Sequence, residues 1–554
     1  MADPLPTQSE TADRPSPPKR KYSRPSCDSC VRLGAECIYQ ESDPSTFDPA
    51  SLAILKRLDD LEVLIQTKTN DPSPLSLVEF PSTSPSDPRG DLSSSATDRR
   101  IPRKLPFITI ETVLEWPVFD DCNFSRHFHL LDAFEENTHD RAGPISVDFD
   151  LYNTDSLFRE FFDNVHIFNP TLEEEEVREY VNIVRLNGIG WDAMSCLLLL
   201  IYAHGSIATP FVKNGRGVSP ASFGKSTPFL QAEAYFCAAR KRMGPLLCSS
   251  GVIEAQCFFL AGAYLMATLR PVAAWRMFVQ ALACCQGFSL RQRNGPRGQN
   301  ESSTKQRIYW TCFKSELELR LELNVSQTGV LDLSYPILFP SPPERLKSKD
   351  EATWYFYLAE IALRRLKNRI LDSLYRHDSA SPEFTIEHAI FDFEEQTDAW
   401  LASLPETLAL GVVNPDTDQY EPFRFILSGH FLDCQETMYW HFVVEGIHGR
   451  VSSSNEHFVR KGLKVCVDRI QQNKTGFYHR HHGTWLMLRS CTRSALVLLA
   501  ARRCVELAGF LSLGWKEAVL DVTRMLAFWK DESGDILEML NVLQALLDAD
   551  DAAM

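Results

Sequence analysis

From about Leu105 onward, apolar residues recur at three- and four-residue spacings, the period of helices with one buried face. "SLFREFFDNVHIFN", "EEEEVREYVNIVRLN", "WDAMSCLLLLIYAHGS" and "AEAYFCAARKRMGPLL" each read as a helix, and the breaks between them carry Gly, Pro and Asn. "SSGVIEAQCFFLAGAYLMATLRPVAAWRMFVQALACCQGFSL" predicts a helical hairpin. Ser249 or Ser250 caps its first helix, Arg270–Pro271 breaks it, and Gly287 ends the second. Both helices are apolar nearly all round, which predicts a central place in the core. A basic, Gly-containing loop, "RQRNGPRGQNESSTKQR", leads into "IYWTCFKSELELRLELN". The same pattern continues through "WYFYLAEIALRRLKNRILDSLY", "FRFILSGHFLDCQETMYWHFVVEGI" and "WLMLRSCTRSALVLLAARRCVEL". Nothing argues for a run of strands or a fixed-period repeat, so the predicted fold class is all-α.

The first hundred residues are patterned differently. Residues 1–26 are polar, rich in Pro and Ser and without periodicity, the composition of a disordered arm. "FDPASLAILKRLDDLEVLIQ" offers Asp48 as N-cap and Pro49 at the first helical position. Ile54, Leu58, Leu61 and Ile65 then recur at spacings of four, three and four, a coiled-coil seam of about two heptads. Over 48–66 this predicts a homodimer or heterodimer contact, the alternative being a single amphipathic helix packed on the body. Residues 67–100 are dense in Ser, Pro and Asp and read as a disordered linker.

Length and charge narrow the picture. A chain of 554 residues is too long for one small core, and 44% hydrophobic content with 34 Phe suffices for large ones. A net charge of −16 excludes the body as a general polyanion binder, so any nucleic-acid contact falls to a local basic patch. The opening MADPLPTQSE lacks the pattern of a secretory signal. The longest uncharged apolar stretch, Cys257 to Leu269, is shorter than the ~20 residues that span a bilayer, so no membrane partner is expected. An intracellular chain keeps its cysteines as thiols. Twelve of the 15 are scattered through apolar helical sequence, and Cys27, Cys30 and Cys37 alone are clustered.

That cluster lies in "KRKYSRPSCDSCVRLGAECIY". From Arg14 to Arg24 there are five basic residues and no acid, and "PPKRK" suits a nuclear-import signal, so the expected localisation is the nucleus; a solvated charge run is the alternative. Cys27-x2-Cys30-x6-Cys37 supplies three thiolates at zinc spacing, with Gly34 suited to the returning turn, whereas zinc takes four ligands in a tetrahedron.

"RPSCDSCVRLGAECIY" resembles the second half of the fungal zinc binuclear cluster, in which six cysteines hold two zinc ions. Pro25, Cys27, Cys30, Gly34, Cys37 and Tyr39 fall in the family's places, and the order of cluster, linker, short coiled coil, spacer and helical body matches. The first half departs from the pattern. Lys19 and Lys21 match two lysines, but Tyr22 stands where the third cysteine belongs, and Pro15 and Ala12 hold the other two ligand positions. The resemblance implies zinc as cofactor, with Cys27 a bridging thiolate and Cys30 and Cys37 terminal ligands. Without the first half, water, Asp28 or another chain completes the shell of a single zinc. Lys19, Arg20, Lys21 and Arg24 are then the DNA-contacting residues, suited to phosphates more than to bases. Three readings stay open: the missing half is encoded upstream, it has been lost and partners supply DNA binding, or the three thiolates form an unusual zinc site.

Residues 101–345 resemble the same family's middle regulatory domain, followed by a C-terminal helical region over 346–554. "PVAAWRMFVQALACCQGFSL", the Arg307 and Trp310 of "STKQRIYWTCFKSELELRLEL", and "SYPILFPSPPE" carry that resemblance. Trp275, Trp310 and the Pro-rich loop read as core and turn residues. By the resemblance, the body receives a small-molecule effector or an inhibitory partner. The tail "DESGDILEMLNVLQALLDADDAAM" interleaves acids with apolar residues, either an activation segment or, the favoured reading, a helix docked on the body. "YHRHHGTW" and "HFH" bring histidines together without a Cys or acidic partner, and read as solvated loop or cap positions rather than metal sites. No nucleophile elbow, Walker A loop, dinucleotide fingerprint or zinc-protease motif is present. The expected function is therefore a nuclear, non-enzymatic transcription factor of RNA polymerase II genes, acting on a metabolic or biosynthetic gene cluster through zinc-dependent binding of paired GC-rich half-sites. The alternatives are a regulator that reaches DNA through a partner and, third, an α-helical enzyme or ligand-binding protein.

Overall fold

The computed structural model describes residues 108–122, 154–215, 223–288, 296–324, 340, 348–376, 386–411 and 419–552. The chain divides between Asp98 and Arg99, and every described residue belongs to the second part. Among the described residues there are seventeen α-helices and no strand, so the body is all-α as the periodicity predicts. In chain order these are α1 (Ile110–Leu114), α2 (Thr154–Asn164), α3 (Glu174–Asn187), α4 (Ala193–Ile207), α5 (Thr227–Arg240) and α6 (Met243–Leu246). Next come α7 (Val252–Ala267), α8 (Pro271–Gln286), α9 (Pro296–Leu323), α10 (Ser348–Leu371), α11 (Ile386–Ala402) and α12 (Glu421–Ile447). The last five are α13 (Glu456–Asn473), α14 (Thr484–Arg503), α15 (Val505–Ala508), α16 (Trp515–Trp529) and α17 (Gly534–Ala552).

The helices start where side chains can satisfy free backbone donors. Asp192 accepts from the Ser195 N–H at 2.7 Å and starts α4. Thr109 and Thr112 cap the start of α1 reciprocally. The predicted hairpin forms as α7 and α8, with two differences. The N-cap of α7 is Gly251, with no side-chain bond, rather than Ser249 or Ser250. The turn is made by Leu269 at φ 57°, and Pro271 then opens α8. Helix α7 is buried from Ala255 to Ala267, as expected, but α8 buries one face only, through Ala274, Phe278, Ala281, Cys284 and Cys285. Helices α2 and α4 cross closely. A Cβ on Gly205 would lie 2.1 Å from the Leu157 carbonyl oxygen, so only glycine fits there.

Helix α14 is the hub, buried along almost its whole length and packed against α1, α13, α16 and α17. The acid-and-apolar tail is α17, and its Ile536, Met539, Leu540, Leu543, Leu546 and Leu547 are buried. Trp485 of α14 donates to Asp535 of α17 at 2.8 Å, so the tail is docked. One hydrophobic core runs from Ile110 to Leu547, and a small satellite joins Trp310, Trp354, Tyr357 and Ile361. The twelve described cysteines are free thiols, nine of them buried, and Cys248 is exposed. No helix among the described residues is long and apolar enough to cross a membrane.

Candidate functional site

Cys27, Cys30 and Cys37, the basic residues Lys19, Arg20, Lys21 and Arg24, and the seam residues Ile54, Leu58, Leu61 and Ile65 all lie outside the described residues, as do His127 and His129. The histidine run is described, and it corrects the expectation of a solvated loop. His481 is 9% exposed and its Nδ1 accepts the Gly483 N–H at 3.0 Å. Burial, reinforced by the neighbouring His479 and His482, pushes its imidazole well below the ordinary range, so the ring is neutral. An accepting Nδ1 on a neutral ring leaves the proton on Nε2.

His481 and His482 form part of the wall of a cavity of about 180 Å³ bounded by α9, α10, α12, α13 and α14. Each helix brings charge to it at helical spacing. Helix α9 contributes Lys314, Glu318 and Glu322, and α10 contributes Glu360, Arg364 and Lys367. Gly429, Asp433 and Glu436 form a stripe on α12, with Arg469 from α13 and Arg493 from α14 facing them. Phe313, Leu317, Ile361, Phe425, Leu486 and Met487 supply apolar wall.

Buried charges must be paired to persist. Arg364 grips both oxygens of Glu318, at 2.6 and 2.8 Å. Lys314 bonds Glu360. Burial alone would raise the Glu360 carboxyl, but the charges of Lys314, His430 and Arg364 overcome it and hold the group down at about 2. Arg469 joins Asp433 at 2.7 Å and Glu436 at 3.0 Å. Arg493 then joins Glu436 at 2.9 Å and Glu322 at 3.2 Å, and Arg489 joins Glu322 at 2.6 Å and Glu111 at 2.7 Å. The result is an unbroken ladder of alternating sign from Asp433 to Glu111. Glu318, His430 and Asp433 bring one ligand atom each within 4.8 Å of one another, the spacing of a metal site. Their carboxylates are already engaged by Arg364, Lys367 and Arg469, so a divalent ion would enter against three cations. The cluster is built as an ion-pair network.

The sequence carries charged residues four apart inside apolar helices, as in Lys314 and Glu318 or Glu360 and Arg364. Such stripes ordinarily face water. Here they face one another, and only tertiary packing reveals it. Trp310 is core, as expected, and also lines the cavity, while Trp275 is half-buried and donates to Glu316 at 3.2 Å.

No family model matches the chain, and no solved structure matches it. A curated protein of Aspergillus rugulosus named "Putative transcription factor ecdB" is 24% identical to it over 474 residues, which cover 76% of each chain. Over three quarters of its length, then, the chain is similar to a fungal protein named as a transcription factor.

Proposed function

We propose that the chain is a nuclear regulator of transcription whose N-terminal arm contacts DNA with the help of zinc and whose helical body receives the regulatory signal. The observation that carries this reading is the similarity, over 76% of the chain, to a protein named as a transcription factor. The basic, cysteine-bearing stretch from Lys19 to Cys37 supports it, because phosphate contact needs a local basic patch on a chain of net charge −16. In this reading Cys27, Cys30 and Cys37 hold zinc, Lys19, Arg20, Lys21 and Arg24 meet phosphates, and Ile54, Leu58, Leu61 and Ile65 pair two chains.

The purified full chain is titrated with a duplex carrying paired CGG half-sites and with a scrambled duplex, at two salt concentrations. Tighter binding of the CGG duplex, zinc in the protein and loss of both in Cys27→Ser support the reading. Equal, salt-sensitive binding of both duplexes overturns autonomous recognition. Tyr22, standing at a cysteine position of the related motif, favours a second reading in which a DNA-binding partner supplies specificity. A CGG preference that emerges only with such a partner present decides for it.

A further inference from the structure

We propose that the cavity between α9, α10, α12, α13 and α14 is a binding site for a small organic carboxylate with an apolar body. Three observations carry this. The first is polarity that no protein group satisfies. Among the buried atoms of the wall, Arg364 Nε, Arg469 Nε, His481 Nε2 and Asn169 Oδ1 have no hydrogen-bond partner, and of these only Arg364 Nε has an ion-pair contact, with Glu360 at 3.7 Å. Arg469, His481 and Asn169 are 1%, 9% and 8% exposed. Leaving such atoms unpaired costs about 1–3 kcal/mol each, so a built site rather than a packing accident is indicated. Arg469 Nε and the protonated Nε2 of His481 are donors, and Asn169 Oδ1 is an acceptor. Two donors suit a carboxylate, and the acceptor suits a hydroxyl or amide N–H on the same ligand.

The second observation is charge. Six cationic and five acidic side chains line the cavity, and every acid is already engaged by Arg or Lys. A carboxylate enters without displacing an existing pair, whereas a cation would compete with arginines for carboxylates. Phe313, Leu317, Leu486 and Met487 then give the apolar body its surface.

The third observation is Gly429. It sits in the interior of the 27-residue helix α12, where glycine is about 1 kcal/mol less favourable than alanine. A Cβ there would meet no heavy atom within 4 Å, so close packing does not require the glycine. What its missing side chain preserves is the space of the cavity it lines. An apolar cavity of about 150 Å³ accepts benzene, so 180 Å³ suits a carboxylate with a body of about one ring.

The test is thermal unfolding of the full chain with benzoate, para-hydroxybenzoate or hexanoate at about 10 mM, against benzamide and hexylamine at the same concentration. Millimolar binding raises the midpoint by about 1–3 °C. The expected result is a saturable rise with at least one carboxylate, none with the amide or amine, and its loss in Gly429→Leu, whose side chain occupies the cavity. Should that variant not fold, Asn169→Leu serves instead. It removes any advantage of para-hydroxybenzoate over benzoate and leaves benzoate binding in place. No shift with any of the carboxylates, or equal shifts with benzamide, hexylamine or in Gly429→Leu, overturns the proposal. Binding is read on the chain alone, so this site stands or falls separately from the DNA-binding reading.

Discussion

Arg489 reaches both carboxylate oxygens of Glu111, at 3.0 and 2.7 Å, and so ties together two residues 378 positions apart. Helix α1 carries Glu111, so the point where the described body begins is fastened to its hub. Arg489 is fully buried and also holds Glu322. Arg489→Met therefore strands Glu111, leaves Glu322 to Arg493 alone, and is expected to cost about 3–5 kcal/mol. Glu111→Gln leaves the Glu322 pair in place and costs about 1–2 kcal/mol. Urea unfolding gives both values. Hydrogen exchange separates them further, because Glu111→Gln should speed exchange at 110–116 and leave α14 protected.

At Gly429, replacement by alanine should stabilise the protein. The helix interior gains about 0.5–1 kcal/mol in propensity, and the added Cβ meets open space rather than a neighbour. A lower urea midpoint for Gly429→Ala would mean that the glycine relieves a contact the static structure does not contain.

Acid should weaken the fold in two stages. Burial depresses His204, His479 and His482 to about 4 and His166 to about 3. The unfolded chain takes up these protons near the ordinary 6.5 and the folded chain does not, so stability present above that value drains away as pH falls toward 4. For one such fully buried histidine the effect is on the order of 3 kcal/mol. Glu318, Glu360, Asp433 and Glu436 are held below their ordinary values by their cations despite burial, which raises them. Their contribution is complete above about 4.5 and is lost on further acidification. Urea midpoints measured from neutral pH downward should start to fall below about 6.5 and fall further below about 4.5. A flat profile between pH 7 and 5 would contradict the buried, neutral histidines.

Docking of the C-terminal helix makes a mutational prediction. Leu543 is fully buried on α17, and Leu543→Ala should cost about 2–5 kcal/mol. Limited proteolysis should then cut first within α17. If the tail worked as an exposed activation segment, the substitution would leave both stability and proteolysis unchanged.

The helices and their class were legible in the sequence because period-3.6 patterning is a local property, as in the α7–α8 hairpin with its Pro271 break. Two local expectations failed for tertiary reasons. Helix α8 looks apolar all round, yet only one face is fully buried, and Val272, Trp275, Met277 and Leu282 are half-buried against the core. The histidines near His481 look polar and exposed, yet α14 begins there and buries them. The cavity was not legible, because Arg469, Glu436 and Arg493 come from three helices and nothing in a linear chain matches one charge to another. Leu269, with its positive φ, likewise carries no sequence signal of the turn it makes.

The ladder from Asp433 to Glu111 also constrains how this sequence can drift. Each inner rung holds two neighbours, so replacing one residue leaves two like charges each short of a partner, and effects along the ladder will not add. A wholly apolar replacement of similar volume can be as stable as a buried ion-pair set, but it is reached only by several simultaneous changes. A single substitution along the seven residues therefore passes through a less stable protein, a ratchet set by electrostatics.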